Sequence, residues 1–324
     1  MPRQLSGFTE FKPSKDIPSL CGKVTFITGG TAGVGKSTLE QLTQHQPAHL
    51  YFTGRNQSAA EQVISLTKAA QPSTSITFIQ MDLSSLASVT SAVAQFTHDR
   101  LDILICNGGI MDVPPAVSVD GFEIHMATNH LGHALLIDKL LPVMLQTVSL
   151  PQADLRSVIL SSAGFALHPK DGFSWDKLSS AQSGLVESMT RYGQSKLANL
   201  VYAAELARRY PQILSVSVHP GFVATNLIHN SSALAKCYPY GRHWLRGESI
   251  LSRHQGSLNS LWVAAGAERN NLVNGAYYEP VGVLRKPEGL PSGEEFAKRV
   301  WIWTDGVLTK SLILEVFSVY GRTL

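Results

Sequence analysis

From Lys23 onward the chain alternates short apolar runs of β-forming residues with longer amphipathic stretches: KVTFIT, a helical pattern from about Gly35, LYFTG, a second helical stretch, SITFIQM, a third, then LDILIC. No other feature constrains the fold as much. Parallel strands cannot be joined by a tight hairpin and need a crossover, usually a helix, so this repeat prescribes βαβ units around a parallel sheet. The pattern continues through a long helical stretch at about 121–147, the run SVILSS, a helical stretch at about 188–210, and LSVSVHP. Six or seven parallel strands are expected, in a doubly wound α/β sheet with helices on both faces.

After Pro220 the pattern loosens. Residues of about 225–255 are rich in Ser, Tyr, His and Arg without a clear period, and read as a substrate-covering segment. A helix near 255–265, a last strand around NGAYYEP and a terminal helical stretch GEEFAKRVWIWTDG follow. No linker interrupts 23–324, which is read as one domain. Residues 1–22 form an N-terminal extension, expected to strap the sheet's edge.

That extension mixes charges and prolines, and lacks the apolar run of a signal peptide or membrane anchor. Cys21, Cys106 and Cys237 show none of the paired spacings of a zinc site or disulfide framework. A cytoplasmic protein without a membrane span is expected. The formal charge is +3 and the 27 basic residues are scattered, which argues against a nucleic-acid surface and leaves small anionic ligands open.

The turn TGGTAGVGK (Thr28 to Lys36) follows an apolar run and opens a helix, where backbone N–H groups and the helix dipole favour a phosphate. Two phosphate motifs fit the letters. Gly30 to Ser37 satisfies the Walker A pattern, in which Lys36 would reach the terminal phosphates and Ser37 would hold magnesium. Thr28-Gly29-x-x-x-Gly33-x-Gly35 fits a dinucleotide-binding variant, although not the G-x-G-x-x-G form. The turn alone leaves hydrolase and oxidoreductase nearly balanced. A hydrolase needs an acidic residue after a later strand to organise magnesium, and LDILIC runs instead into Asn107-Gly108-Gly109.

Tyr192 and Lys196 lie four residues apart in RYGQSKLANL, on one face of a helix. An ammonium beside a phenol lowers the phenol's pKa, so this pair is expected to bring a tyrosine toward operating pH as a general acid or base.

In its motifs the chain resembles the short-chain dehydrogenase/reductase family over about residues 22 to 285. TGGTAGVG, MDL at 81 to 83, CNGG at 106 to 109, Asn129 in ATNHLGHALL, LSSAG at 160 to 164, YGQSK and HPGFVAT at 219 to 225 stand in the family's order. NHLGHALL, YGQSKLAN and ELARR are most similar to the retinol-dehydrogenase and WW-domain-oxidoreductase branch, which includes fungal tailoring enzymes. The resemblance implies a Rossmann-like sheet and four catalytic residues. Ser162 would polarise the substrate, Tyr192 exchange the proton, Lys196 bind the nicotinamide ribose, and Asn129 hold a water. Ser161 is the competing serine.

The resemblance also implies a cofactor site. Gly29, Thr31, Ala32, Gly33, Val34, Gly35 and Lys36 would cradle the phosphates, and Asp82 and Leu83 would frame the adenine. Asn107, Gly108, Tyr192 and Lys196 would line the middle, with Pro220, Val223 and Thr225 at the carboxamide end. After the second strand the chain reads Thr53-Gly54-Arg55-Asn56. With no carboxylate there for a ribose 2′-OH, and Arg55 available for a 2′-phosphate, NADP(H) is the expected cofactor.

Two departures stand out. The family's Asn-Asn-Ala-Gly is Cys106-Asn107-Gly108-Gly109, expected to add flexibility beneath the cofactor. The interval from Ser162 to Tyr192 is long, filled by FALHPKDGFSWDKLSSAQSGLVE. His130 and His133, one helical turn apart, lack an HExxH context and are read as packing residues; no metal is required.

The expected reaction interconverts a ketone or aldehyde and an alcohol on a hydrophobic, polycyclic or secondary-metabolite-like small molecule; Tyr238, Tyr240 and Trp244 could shape the pocket. Redox-neutral isomerisation, epimerisation or cyclisation in the same site is the alternative, with a catalytically silent nucleotide-sensing protein as a third reading. The family suggests a homodimer through the helices at 121–147 and 188–210, which could equally be monomer core.

Overall fold

In the computed structural model, which describes residues 8–183, 187–223, 250–291 and 293–320, with side chains as far as 311, eight strands form one sheet. They are β1 (Val24–Ile27), β2 (His49–Gly54), β3 (Ile76–Gln80), β4 (Ile103–Cys106), β5 (Arg156–Leu160), β6 (Leu214–Val218), β7 (Tyr277–Glu279) and β8 (Val283–Arg285). Their order is β3-β2-β1-β4-β5-β6-β7-β8. The first seven are parallel, as expected, and β8 pairs antiparallel with β7. The sequence reading missed β8. It has three residues, and Leu284 is exposed, so no apolar run marks it.

The chain winds outward from β1 to β3, then restarts at β4 and winds the other way. That reversal opens a crevice at the carboxyl ends of β1 and β4, where ligands of doubly wound sheets bind. Strands β1, β4, β5 and β6 are buried along their whole length, which is why they read as continuous apolar runs.

The helices are α1 (Pro13–Asp16), α2 (Gly33–Thr43), α3 (Gln57–Ala70), α4 (Leu86–Val93), α5 (Ile124–Val148), α6 (Glu187–Arg209), α7 (Arg253–Leu261) and α8 (Gly293–Tyr320). Alternation along β1 sends Ile27 to a core with Leu39, Leu42 and Leu261 of α2 and α7, and Phe26 to a core with Leu135 and Leu206 of α5 and α6. A third cluster, built on Phe165, Phe173, Leu178, Leu197 and Phe296, lies under the long Ser162–Tyr192 interval. Residues 165–178 of that interval are therefore packed against α6 and α8 rather than looped into solvent.

Residues 8–22 bury Phe11, Ile17 and Leu20 against the α2/α7 layer. They reach the edge hairpin at Thr9, whose N–H donates to the Val281 carbonyl at 2.9 Å and whose side chain lies against Gly282. The strap thus covers a helix layer more than a sheet edge.

Helix α8 lies over α5 and α6. Trp301 stacks on Tyr202 at 4.8 Å, the Arg209 guanidinium sits 4.7 Å from the Trp301 ring, and Thr304 hydrogen-bonds His130 at 2.8 Å. Helix α5 is long and apolar enough to cross a membrane by composition, yet 56% of its apolar window is buried inside the protein. It is a core helix, which explains its composition. The substrate-covering segment expected at 225–255 lies mostly outside the described residues, with Thr225, Cys237, Tyr238, Tyr240 and Trp244.

Candidate active site

The glycine turn leaves β1 and enters α2 through Gly29 and Gly33, both with positive φ (67° and 58°), where other residues are strained. Helix α2 opens on Ala32, which caps nothing with its side chain. Its first-turn N–H groups therefore keep their capacity for an anion. A Cβ at Gly35 would run into the Gly29 carbonyl and the Asn107 amide, so the turn is folded tightly on itself. These features fit the phosphates of a dinucleotide. The Walker A reading fares worse: Ser37 is buried against Ser257 at 3.2 Å and Lys36 faces Glu40 at 3.7 Å.

The end of β4 is tied to this turn. Asn107 Nδ2 donates to the Thr28 carbonyl at 2.9 Å, and the Gly108 N–H donates to Thr28 Oγ1 at 2.8 Å. Thr28 Oγ1 lies 2.8 Å from His133 Nε2, and His133 Nδ1 lies 2.9 Å from the Asn129 carbonyl. A carbonyl only accepts, so Nδ1 carries the proton and Nε2 accepts from the threonine hydroxyl. Burial pushes His133 down to about 4, which keeps the ring neutral for this role. His133 is thus more than a packing residue: it links the glycine turn to α5. His130 is buried and bonded to Thr304.

Gly108 was expected to add flexibility. Instead a Cβ there would stand 2.6 Å from Leu83 Cδ1, so the missing methyl makes room for Leu83. Cys106 is fully buried and its thiol is pushed up by desolvation, which leaves it inert.

Asn129 sits in a π turn, Ala127–Leu131, of the kind often found at functional sites. Its Oδ1 accepts from the Ile110 N–H at 2.8 Å, and Nδ2 donates to the Ile110 carbonyl and to Ser195 Oγ at 3.0 and 2.9 Å. Both amide hydrogens are used. The side chain braces the segment leaving β4, and for the water implied by the resemblance it keeps only one Oδ1 lone pair.

Ser161 and Ser162 follow β5. Ser161 Oγ donates to the Lys196 carbonyl at 2.7 Å and is buried, which makes it a fastener of α6. Ser162 Oγ accepts from the Gly164 N–H at 3.1 Å and faces the same side of Gly164 as the Tyr192 ring. Ser162, Tyr192 and Lys196 are thus brought together. Lys196 Nζ donates to the Leu160 carbonyl at 3.0 Å and lies 5.8 Å from the centre of the Tyr192 ring. Gly164 is a residue the sequence reading passed over: a Cβ there would stand 2.9 Å from Tyr192 Cε1.

The expected acidification of Tyr192 does not occur. Desolvation raises its pKa above the ordinary phenol value, and the nearby Ser162 hydroxyl offsets only part of that rise. The lysine is directed at a strand-end carbonyl, and its own pKa is pulled down to about 8 by desolvation. The pair is a neutral phenol beside an ammonium that titrates close to neutrality.

The other residues expected at the cofactor take the following positions. Gly30 N–H donates to the Thr53 carbonyl at 2.9 Å, which sets exposed Arg55 just beyond the turn. Asn56 Oδ1 caps α3 through the Ala59 N–H at 3.0 Å. Asp82 Oδ1 accepts from Ser84 N–H and Oγ at 2.9 and 2.7 Å, a turn-forming role, while Leu83 faces Gly108. Thr31 packs on Gly54, Val34 joins the α2 core, Pro220 is half-buried, and Val223 packs on Gly256. Among the described residues no cluster of three His, Cys, Asp or Glu side chains could hold a metal.

The short chain dehydrogenase model matches residues 23–151. A short-chain dehydrogenase/reductase of Aspergillus calidoustus, drtF, is 33% identical over 314 residues, covering 92% of this chain and 98% of that protein. The chloroplastic short-chain dehydrogenase TIC 32 B of Brassica napus is 35% identical over 308 residues, covering 91% and 92%. Among solved structures, an uncharacterised protein from Mycobacterium paratuberculosis superposes with a TM-score of 0.67 at 25% identity, covering 91% of this chain and 97% of that one. An NADPH-bound carbonyl reductase from chicken fatty liver shares the fold, with a TM-score of 0.58 at 19% identity over 84% and 100% of the two chains. With a glycine turn, a Ser–Tyr–Lys set and full-length relatives of one kind, the chain belongs to the short-chain dehydrogenase/reductase family of oxidoreductases.

Proposed function

We propose that this protein is an NADP(H)-dependent reductase that interconverts a ketone or aldehyde and an alcohol on a hydrophobic small molecule. The observation that carries this reading is the half-buried Tyr192 phenol, whose ring edge meets Ser162 Oγ over Gly164 at the end of β5, 2.9 and 3.3 Å from where a Cβ on that glycine would stand. Bound along that crevice, the nicotinamide dinucleotide supplies the hydride for reduction and takes it up in oxidation.

The chain's own residues do the rest. Ser162 Oγ donates to the substrate oxygen and polarises the carbonyl. Tyr192, kept protonated by desolvation, delivers its proton to the same oxygen as the carbon is reduced. Lys196, fixed by the Leu160 carbonyl, holds the ribose. Asn129 fixes the Ile110 backbone at the edge of the site. Ile110, Met111 and Val113, half-buried beside it, support an apolar substrate wall. The free thiols of Cys21 and Cys106 suit a reducing compartment such as the cytoplasm.

The test is NADPH oxidation against a panel of apolar and polycyclic ketones and aldehydes, with product analysis. Stoichiometric alcohol supports the reading. Substrate conversion without net NADPH consumption replaces it with redox-neutral chemistry, and tight NADPH binding without any conversion replaces it with a sensing role.

Arg55 is assigned to the 2′-phosphate. An Arg55→Ala variant is expected to weaken NADPH binding by about tenfold to a hundredfold, the value of a charge-assisted hydrogen bond, with NADH binding unchanged. An unchanged Michaelis constant for NADPH overturns the assignment.

The Lys196 value of about 8 sets a pH dependence. The ammonium is intact below that pH and lost above it. kcat/KM for NADPH, which reports the free enzyme's groups, is expected to fall by about tenfold per unit on the alkaline side. A profile flat to the ordinary lysine range removes Lys196 from ribose binding.

A further inference from the structure

The residue before the proton donor carries a guanidinium that is 1% exposed. Arg191 Nε lies 3.2 Å from Glu123 Oε1, Nη1 donates to the Gln182 carbonyl at 2.6 Å, and Nη2 donates to the Val113 carbonyl at 3.1 Å. Glu123 is equally buried. Its Oε1 accepts from His125 Nδ1 and its Oε2 from the Met126 N–H, each at 2.8 Å, while its own N–H donates to the Leu178 carbonyl at 2.8 Å. The His125 ring stands edge-on to the Tyr192 ring, with centroids 6.3 Å apart.

A buried ion cluster of this kind is poor evidence for stability, because desolvation of both partners offsets most of their attraction, and its best-attested use is to fix register. Here the register is that of the proton donor. Four segments meet at Glu123 and Arg191: the start of α5, the 110–116 segment, the α6 turn carrying Tyr192, and the 174–182 part of the long Ser162–Tyr192 interval. Gln194, one turn along α6, repeats the connection by accepting from the Ser174 N–H at 2.7 Å and donating to Gln182 Oε1 at 3.2 Å. His125 Nε2 has no partner and no solvent contact, so this histidine bears on Tyr192 without reaching substrate.

We propose that Arg191 is a positioning residue for Tyr192, and that its buried pair with Glu123 holds the phenol in reach of Ser162 across the long chain interval. This rests on Tyr192 being the proton donor. The cluster transmits no proton and touches no substrate; it sets where the hydroxyl stands.

The test compares wild type, Tyr192→Phe, Arg191→Met, Glu123→Gln and the double variant Glu123→Gln/Arg191→Met, with phenanthrenequinone as the probe ketone. Each single change leaves a buried polar or charged group unpaired and lowers Tm; the double change removes both and recovers most of it. Positioning predicts that the double variant still loses about tenfold to a hundredfold in kcat, the effect of a displacement of about 1 Å, with KM and NADPH affinity within about twofold of wild type. Recovery of kcat together with Tm makes the cluster structural and overturns the proposal. A crystal structure of the double variant reads the same point without turnover: displacement of the Tyr192 hydroxyl relative to Ser162 Oγ is expected, and an unchanged position overturns the proposal. Full activity of Tyr192→Phe removes the underlying assignment instead, a result separable from both others.

Discussion

Tyr192→Phe is expected to lower the turnover of carbonyl reduction by roughly a hundredfold to ten-thousandfold, the range contributed by a positioned general acid, while NADPH affinity stays unchanged. The substitution removes one oxygen and leaves the ring where it is, between Gly164 and His125. Ser162 keeps its bond from the Gly164 N–H, so the carbonyl is still polarised. What is lost is the proton. Steady-state turnover, with cofactor affinity measured separately by fluorescence titration, checks this directly. A loss below tenfold would mean that another group delivers the proton, with Ser162 the nearest hydroxyl.

Gly35→Ala is expected to destroy the cofactor turn while changing a single methyl. The new Cβ meets the Gly29 carbonyl and the Asn107 amide, which are backbone and backbone-locked groups that cannot rotate away. Overpacking of this kind costs about 1 to 3 kcal/mol, and the displaced helix start should weaken NADPH binding by about tenfold to a hundredfold. Thermal unfolding and NADPH titration give the two readouts. Wild-type affinity in a stably folded variant would show that the turn holds its ligand without that close approach.

The parallel strands were legible because each buried strand is written as an apolar run and each crossover as a helical period. The Ser–Tyr–Lys set was legible as a motif order. What escaped the sequence was fixed by contacts between distant segments. Thr28 meets His133 across 105 positions, and Leu83 takes the space a methyl at residue 108 would fill. Neither has a period or a spacing. The electrostatics of the catalytic pair escaped for a related reason. A spacing of four places Lys196 near Tyr192, but desolvation of each and the pull of the Leu160 carbonyl on the lysine decide their protonation. β8 escaped because three residues with one exposed leucine carry too little pattern.

The cover that α8 provides has a consequence for how the protein behaves on dilution. The family resemblance left the helices at 121–147 and 188–210 as a subunit interface or as monomer core, and Trp301, Thr304 and Leu308 of the same chain pack on them at Tyr202, His130 and the α5/α6 core. The helix bearing Tyr192 and Lys196 is therefore supported intramolecularly. Its integrity is expected to be independent of protein concentration, where a helix completed by a second subunit would loosen as the protein is diluted; unfolding midpoints at two concentrations read the difference.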